Sequence, residues 1–285
     1  MTYRKKQKSI KIPFFKIEAT GNDFIFIDQR ISGVKKIAKK IPSNSRPQLV
    51  KKICDRHKGI GSDGVVFLEH PQRRAMDLKW DFYNSDGSRA EMCGNAARAV
   101  AHFIFDCEKR KGQLQLETTA GVVVIRKTAK AQYGTTLPAV RLLGGPIVQT
   151  ISGKSVLYFM VNSGVPHAVV PLKKKLAREI LNEMAVDLKK SGRLGRGGAN
   201  VTFFWKNGRG IEAITHERGV EGLTLSCGTG ALAAAWVANY VLEIQSTAKS
   251  TVRVVLPGGE LMVTFKDRPE LVGPAALIAM GTLYV

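Results

Sequence analysis

Short apolar stretches rich in β-branched residues recur along the chain, and two longer apolar stretches rich in alanine stand among them. The short stretches predict β-strands. They begin at Phe24, Gly64, Gly121, Ala139, Val156, Ala168, Val201, Val252 and Leu261. The run 96–105 contains only Arg98 and His102 as polar residues, and the run 231–241 contains only Asn239. A helix that is apolar on nearly all sides is buried on nearly all sides, so we expect sheets wrapped around two central helices.

The two alanine-rich stretches lie in similar surroundings. Each follows a predicted strand, a polar loop that contains glycine, and a Cys-Gly pair, at Cys93 and at Cys227. The two cysteines are 134 residues apart, close to half of the chain, which indicates an internal duplication with two copies. The sequence therefore predicts an α+β fold with two pseudo-symmetric halves, each a mixed β-sheet curled into a barrel-like wrap around a central helix. Residues 144–146, Gly-Gly-Pro, are the best candidate junction between the halves.

Three further segments have distinct patterns. Residues 173–190 predict an amphipathic surface helix, and residues 47–56 predict another helix, which contains Cys54. The glycine-rich stretch 192–198 predicts a mobile loop.

Length and composition narrow the class of protein. The chain has 285 residues with 44% apolar content, which is enough for two ordinary domains. It has no apolar run of the ~20 residues that span a bilayer, so we expect no membrane partner. The basic N-terminus is not followed by an apolar segment or a small-residue cleavage site, so we expect a cytoplasmic protein. The four cysteines show no C-x-x-C pair and no zinc spacing, which favours free thiols without a metal.

The chain is strongly basic, with a net charge of +21 and a pI near 10.0. A nucleic-acid-binding function therefore has to be considered. The lysines and arginines are scattered through several segments, however, and they are not interleaved with aromatic residues as in a base-stacking surface. We interpret them as a solvated basic surface that attracts anions weakly, and we expect no nucleic-acid partner.

The two Cys-Gly pairs carry the main chemical signal. A helix N-terminus has unpaired N–H groups and a positive partial charge, so a thiol there is expected to have a lowered pKa. A single buried cysteine more often serves packing alone, and Cys54 and Cys107 keep that interpretation. Two facing helix starts would hold a carboxylate with one thiol on each face of its α-carbon, which suits stereoinversion. The N–H groups would come from Gly94, Asn95, Gly228 and Thr229.

Ten short motifs, spread over residues 19–274, carry a resemblance to a known family. They are ATGNDF (19–24), RHKGIGSDG (56–64), FYNSDGS (82–88), CGN (93–95), PH (166–167), NV (200–201), ERG (217–219), CGTG (227–230), LPGG (256–259) and GP (273–274). Each motif is short, but in this order and together they are specific. The chain resembles the diaminopimelate epimerase family.

The resemblance implies a fold and an activity. It implies one half made of residues 1–142 and completed by residues 273–285, and a second half made of residues 143–272. It implies interconversion of LL- and meso-diaminopimelate, which serves lysine and peptidoglycan precursor synthesis, without pyridoxal phosphate, metal or nucleotide. It also implies a homodimer.

The resemblance assigns roles residue by residue. Cys93 and Cys227 become the catalytic base and acid, and His167 and Glu217 lie beside the thiols and bind the reacting ammonium group. The reacting carboxylate is held by Gly94, Asn95, Gly228 and Thr229. The rest of the substrate, mainly its distal end, is held by Asn22, Asn84, Asn200 and Arg218. Preorganised donors in a water-excluded site would stabilise the carboxylate of the developing carbanion, and the thiols must start in opposite protonation states.

Two departures from the family pattern bear on the substrate. Val165 stands where the family has the asparagine of Gly-Asn-Pro-His, which helps to bind the distal end. Arg218 lies nine residues before Cys227, one more than in the family, and Leu223 replaces a glutamate. An epimerase or racemase of another amino acid, such as histidine, with the same thiol chemistry therefore stays open. So does a function of another class, a basic nucleic-acid-binding protein on an inactive epimerase scaffold.

Overall fold

The computed structural model of the protein describes residues 11–30, 43–151, 153–195, 197–242 and 251–284. The basic N-terminal residues 1–10 lie outside the described residues, as does the last residue of the predicted segment 273–285. Within the described part, no helix is long and apolar enough to cross a membrane.

The described residues form one continuous sheet of 17 strands. The strands before residue 140 are β1 (Lys11–Ala19), β2 (Asn22–Asp28), β3 (Gly64–Glu69), β4 (Leu78–Asn84), β5 (Gln113–Thr118), β6 (Gly121–Ala129) and β7 (Gln132–Thr136). The later strands are β8 (Arg141–Ile151), β9 (Lys154–Asn162), β10 (Pro166–Pro171), β11 (Asn200–Asn207), β12 (Gly210–Glu217), β13 (Gly222–Leu223), β14 (Thr251–Leu256), β15 (Gly259–Thr264), β16 (Glu270–Pro274) and β17 (Ala276–Tyr284). All nine predicted stretches overlap a strand.

Strand pairing repeats between two parts of this sheet. From one edge the order is β17, β1, β2, β3, β4, β5, β6 and β7. The pair β7–β16 then leads into β15, β14, β12, β11, β10, β9 and β8. The parallel pairs are β2–β3 and β4–β5 in the first part, and β10–β11 and β12–β14 in the second. This matching order of directions confirms the predicted pseudo-symmetric α+β fold.

Four α-helices lie among the described residues, α1 (Arg46–Cys54), α2 (Gly94–His102), α3 (Arg178–Lys190) and α4 (Gly228–Trp236). The helix α2 packs inside the first part of the sheet and α4 inside the second, and each ends in a π-helical turn. Their alanines are buried, because small side chains let strands approach from all sides. The helices α1 and α3 pack on the outer face of the sheet.

The surface helix starts later than the sequence predicts. Residues 173–190 were expected to be helical, but α3 begins at Arg178. The N–H of Leu172 still donates to the carbonyl of Phe204 at 2.8 Å, so the chain after β10 stays on the sheet. Leu172 and Leu176 then pack against the apolar cluster beneath α3, in a segment that is neither helix nor strand. The helix predicted at residues 47–56 is confirmed, with the bounds of α1.

The predicted division into halves is compatible with these pairings but stays a prediction. The strand β8 crosses the proposed boundary between residues 142 and 143, and it contains the predicted junction 144–146. The strand β17 pairs with β1, next to the first part of the sheet. The preceding strand β16 joins the two parts through β7 and β15.

Close packing of α4 against β11 and β12 gives a first prediction. A Cβ at Gly230 would lie 2.3 Å from Oγ1 of Thr215 and 3.1 Å from Oγ1 of Thr202. Alanine usually stabilises a helix by up to ~1 kcal/mol relative to glycine. Here we expect Gly230→Ala to lower the free energy of unfolding by ~1–3 kcal/mol, because the core is overpacked. Urea unfolding measures the change.

A double variant tests the cause of that loss. Adding Thr215→Ala removes the hydroxyl that the new methyl group meets. The double variant should therefore be less destabilised than the sum of the two single variants. A Gly230→Ala protein that is more stable than the parent would contradict the close approach.

Candidate active site

The two cysteines predicted to be catalytic begin the two central helices. Cys93 is the N-cap of α2, with extended φ and ψ of −145° and 121°, and its Sγ accepts the N–H of Ala96 at 3.5 Å. Cys227 is the N-cap of α4, with φ and ψ of −126° and 106°, and its Sγ accepts the N–H of Gly230 at 3.4 Å. The pseudo-symmetry of the fold thus gives both thiols the same local geometry.

The two helix starts face each other. A Cβ at Gly228 would lie 3.7 Å from Cα of Gly94 and 3.5 Å from Oδ1 of Asn95. Cδ2 of Leu271 would lie 3.0 Å from the Cβ at Gly228 and 3.2 Å from one at Gly94, so this apolar side chain packs against both starts. The first turns of the two helices are therefore in close contact, with Leu271 packed against both.

The structure corrects the expected direction of the thiol pKa shifts. Burial raises the pKa of Cys93 to about 11, against hydrogen bonds from the N–H groups of Ala96 and Asn95. Burial also raises the pKa of Cys227, and the nearby carboxylate of Glu217 adds to that rise. A helix N-terminus does favour a thiolate, but loss of hydration costs more in this enclosed site. Without a ligand, both groups are therefore thiols at neutral pH.

His167 lies on β10, fully buried and close to the second thiol. Burial lowers the pKa of His167 to about 3, and the positive charge of Arg218 adds to this effect. The imidazole is therefore neutral. Its Nε2 lies 3.0 Å from Oγ1 of Thr229, which in turn lies 3.5 Å from Sγ of Cys227. A hydroxyl thus links the imidazole to the thiol.

The neighbours of His167 fix its tautomer. Oδ1 of Asn200 accepts the backbone N–H of Arg218 at 2.8 Å, so the NH₂ group of Asn200 faces Nε2 of His167 at 3.4 Å. Nε2 must then accept, and the proton sits on Nδ1, 2.9 Å from Oγ1 of Thr202. Thr202 continues to Oγ1 of Thr215 at 3.0 Å.

Glu217 ends β12 and is the carboxylate nearest the thiols. Its Oε1 accepts a hydrogen bond from Oγ1 of Thr224 at 2.6 Å. Burial raises the pKa of Glu217, while hydrogen bonds from Thr224 and Cys227 oppose that rise. Its charge also raises the pKa of Cys93, so the carboxylate acts on both thiols. A cationic ligand would find its counter-charge here.

The other predicted binding residues are only partly brought together. Asn22 and Asn95 meet at the helix starts, with Nδ2 of Asn95 donating to Oδ1 of Asn22 at 3.2 Å. Asn84 is exposed and donates to Oγ of Ser88 at 3.0 Å. The guanidinium of Arg218 donates to the carbonyl groups of Gly197 and Gly198.

The position of Arg218 follows from the turn after β12. Its NH1 donates to the carbonyl of Gly197 at 2.5 Å, in the glycine-rich stretch. The turn is closed by the N–H of Glu221, which donates to the carbonyl of Glu217 at 3.0 Å. Gly219 and Glu221 both have positive φ, of 88° and 54°. This is the segment in which the sequence has one residue more than the family pattern.

Several polar residues at the helix starts were not predicted. Thr20, Arg98 and Ser226 form a buried network with Asn95, and Thr202 and Thr215 hold the imidazole. Arg98 was visible as a charge in an apolar run, but its contact with Thr20 joins residues 78 positions apart. The threonines occupy ordinary strand positions. Among the described residues, no group of three or more His, Cys, Asp or Glu is arranged to hold a metal ion.

Solved structures with this fold include two proteins of low sequence identity. One is a phenazine biosynthesis protein of the PhzF family from Bacillus anthracis, 13% identical, with a TM-score of 0.70 over 97% of this chain and 100% of that chain. The other is a hydroxyproline epimerase from Agrobacterium vitis with bound trans-4-hydroxy-L-proline, 15% identical, with a TM-score of 0.70 over 98% and 93%. These likenesses support the fold.

Sequence comparisons identify the family. The model of the family described as diaminopimelate epimerase matches residues 14–146 and 159–281. A diaminopimelate epimerase of Methanocella arvoryzae is 34% identical over 96% of this chain and 98% of its own length. One of Aquifex aeolicus is 34% identical over 87% of this chain and 88% of its own length. With two Cys-Gly helix starts facing each other inside the matched fold, the chain belongs to the diaminopimelate epimerase family.

Proposed function

We propose that the chain epimerises LL-diaminopimelate to meso-diaminopimelate with its own two thiols. The observation that carries this proposal is the convergence of two helix starts with one cysteine at each. Inverting an α-carbon requires that a proton leave one face and another arrive at the opposite face. A duplicated fold with a thiol in each half supplies one group per face.

The proton transfers follow from that placement. The thiolate of Cys93 removes the α-proton, and the thiol of Cys227 delivers its proton to the other face. After one turnover Cys93 is the thiol and Cys227 the thiolate, which is the state needed for the reverse reaction. We assign the first thiolate to Cys93 because the carboxylate of Glu217 is hydrogen-bonded to Cys227, so that ionisation of Cys227 would place two negative charges side by side.

The helix starts would stabilise the developing carbanion. In the proposal, the reacting carboxylate takes the backbone N–H groups of Gly94, Asn95, Gly228 and Thr229. These donors are fixed before substrate arrives, and Leu271 packs against both helix starts. Electrostatic stabilisation by preorganised donors is strong in such a site because water does not screen it.

The substrate's ammonium group would start the reaction. In the empty site both thiol pKa values are raised, so thiolate is scarce. An ammonium bound between Glu217 and the neutral imidazole of His167 would bring positive charge beside the thiols. A nearby opposite charge favours the ionised form. Binding would thereby lower the thiol pKa, so that one thiol releases its proton to solvent as the substrate enters and becomes the thiolate.

The distal end of the substrate would be held by Asn22, Asn84, Asn200 and Arg218. Val165 offers no amide, and nearby Asn162 is half-buried with its Oδ1 2.9 Å from the N–H of Gly164. We propose Asn162 as the replacement for the missing amide.

We also propose a homodimer in the cytoplasm. The edge strands β8 and β17 expose large apolar side chains, which supports self-association. They are Leu142, Leu143 and Val148 on β8, and Ile278, Met280 and Tyr284 on β17. Light scattering on the purified protein measures the number of chains.

Loss of either thiol should stop the reaction. Cys93→Ala and Cys227→Ala each remove one proton carrier, so we expect turnover of LL-diaminopimelate to fall at least 1,000-fold, ~4 kcal/mol in the barrier. The matched control is Cys107→Ala, which removes an exposed thiol outside the site and should keep normal turnover. Circular dichroism checks the fold. Near-normal turnover in either alanine variant would overturn the two-thiol mechanism.

The raised thiol pKa predicts a pH dependence for the empty site. With a pKa of about 11, the thiolate fraction of Cys93 rises tenfold per pH unit up to ~pH 10. Alkylation of Cys93 by iodoacetamide, followed by mass spectrometry of its peptide, should rise in the same way. A small thiol of pKa ~8.5 in the same solutions levels off earlier. A plateau for Cys93 below pH 9 would contradict the effect of burial.

The substrate assignment can be tested at Asn162 and Val165. A hydrogen bond to a charged group contributes ~1.5–3 kcal/mol, so Asn162→Ala should raise KM for diaminopimelate ~10–100-fold. Val165→Asn restores the family amide and should keep or improve kcat/KM. The decisive comparison is kcat/KM for LL-diaminopimelate against histidine and other amino acids with one stereocentre. Turnover of a single-stereocentre amino acid without turnover of diaminopimelate would overturn the substrate assignment, and it would leave the two-thiol mechanism intact.

A further inference from the structure

Arg98 carries a positive charge into the interior, and it has no carboxylate partner within the part of the chain that the structure describes. It lies in the second turn of α2 and is fully buried. One terminal nitrogen, NH2, donates to Oγ1 of Thr20 and to Oδ1 of Asn95, both at 2.9 Å, and NH1 lies 3.5 Å from the carbonyl of Gly94. All three acceptors are neutral. The Nε atom is buried without a hydrogen-bond partner.

A second buried arginine in the same protein has the carboxylate partners that Arg98 lacks among the described residues. Arg46 is 8% exposed and forms ion pairs with both Asp81 and Glu69. None of the ion pairs among the described residues includes Arg98. A buried charge is strongly unfavourable unless an opposite charge lies nearby. The pKa of Arg98 is lowered to about 10 by burial, so the guanidinium stays charged at neutral pH.

The fold itself does not require a charge at this position. Cys93 and Cys227 begin equivalent helices, and the residue five positions after each is Arg98 in α2 and Leu232 in α4. Leu232 is fully buried among apolar neighbours. The second half is therefore built with a hydrocarbon side chain where the first half has a cation.

The contacts of Arg98 lead to both helix starts. Oδ1 of Asn95 accepts from Arg98, so the NH₂ group of Asn95 points the other way, to Oγ of Ser226 at 3.1 Å and to its carbonyl at 3.3 Å. Oγ1 of Thr20 also lies 2.7 Å from Oγ of Ser226. Ser226 directly precedes Cys227. One guanidinium thus anchors two side chains that hold the opposite helix start.

We propose that Arg98 is a positioning residue that holds the two helix starts in register through Asn95 and Thr20 and serves as the counter-charge for the Cys93 thiolate. This inference rests on the proposed thiol chemistry. Cys93 is the N-cap of the helix that contains Arg98, and NH1 of Arg98 lies 3.5 Å from the carbonyl of Gly94, the residue after Cys93. The guanidinium therefore lies close to this thiol. Among the described residues, the other titratable groups that interact with Cys93 are Glu217 on β12 and Cys227 on α4. Glu18 on β1 also acts on Arg98 at longer range. Arg98 is the cation in this set.

The first experiment measures the reactivity of the thiol without turnover. Arg98→Leu uses the side chain that the fold accepts at the equivalent position of α4. At pH 8, we expect alkylation of Cys93 by iodoacetamide to be about tenfold slower in this variant, with the pH profile shifted upward by about one unit. The matched control Arg46→Met removes a buried arginine that is paired elsewhere. It should lose stability and leave the Cys93 profile unchanged.

The second experiment separates charge from hydrogen bonding. Arg98→Lys keeps one positive charge but has no planar fork to span both acceptors. Its Cys93 alkylation should stay within threefold of the native rate, while kcat for LL-diaminopimelate falls about tenfold with little change in KM. Native kcat in Arg98→Lys would overturn the role in holding the helix starts. This variant retains the charge, so it tests the proposal even where Arg98→Leu does not fold.

The outcomes distinguish this inference from the proposed function. Unchanged Cys93 alkylation in Arg98→Leu, or an equal slowing in Arg46→Met, would overturn the counter-charge role while leaving the two-thiol reaction intact. Alkylation of Cys93 that is slowed in Arg98→Leu and unchanged in Arg46→Met would support the role of Arg98. If the native protein at the same time turns over no diaminopimelate, the proposed substrate is wrong. Slowed alkylation together with the Arg98→Lys loss of kcat supports both.

Discussion

The positive ends of two buried helices point at each other in this protein, and the remaining structure accommodates that arrangement. Free N–H groups and converging helix dipoles are unfavourable in an apolar interior unless a polar or negative partner meets them. Each thiol accepts N–H groups from the first turn of its own helix. The other N–H groups at the two starts remain as donors for a ligand. A carboxylate is a better acceptor for these N–H groups than a neutral group, because its negative charge interacts with both helix ends at once.

The packing that forms the fold also sets the chemistry of the thiols. The alanines of α2 and α4 allow strands to surround each helix, and this leaves the helix starts little exposed to water. Loss of water raises the pKa of Cys93 and Cys227 instead of lowering it. The proposed reaction therefore depends on charge that arrives with the substrate. A site of this kind keeps its thiols unreactive until a ligand is bound, since the thiol form is a poor nucleophile.

The sequence predicts the parts of this structure that depend on local pattern. The Cys-Gly pairs and alanine-rich runs indicated both central helices and the duplication, and the β-branched runs marked nine of the strands. Strands such as β7 and β17 were missed because they contain glycine or polar residues and gain their stability from neighbours distant in sequence. The thiol pKa was predicted with the wrong sign, because the helix end is a local feature and burial is not. Arg98 stood out in the sequence as a charge within an apolar run. Its proposed role depends on Ser226, whose Oγ accepts a hydrogen bond from Asn95, and these two residues are 131 positions apart in the chain.

The halves share a fold but divide the chemistry between them. The second half provides His167 and Glu217, a neutral ring and a carboxylate suited to an ammonium group. The first half provides Arg98, a cation on the helix that begins at Cys93. The second half has Leu232 at the equivalent position. A fully symmetric site would give both thiols the same pKa, and it would favour neither the thiolate at one nor the thiol at the other. In the proposed reaction one thiolate and one thiol are needed at a time, and each assignment serves one direction of the epimerisation. The divergence of the duplicated halves therefore determines which thiol ionises first, and it leaves the reaction reversible.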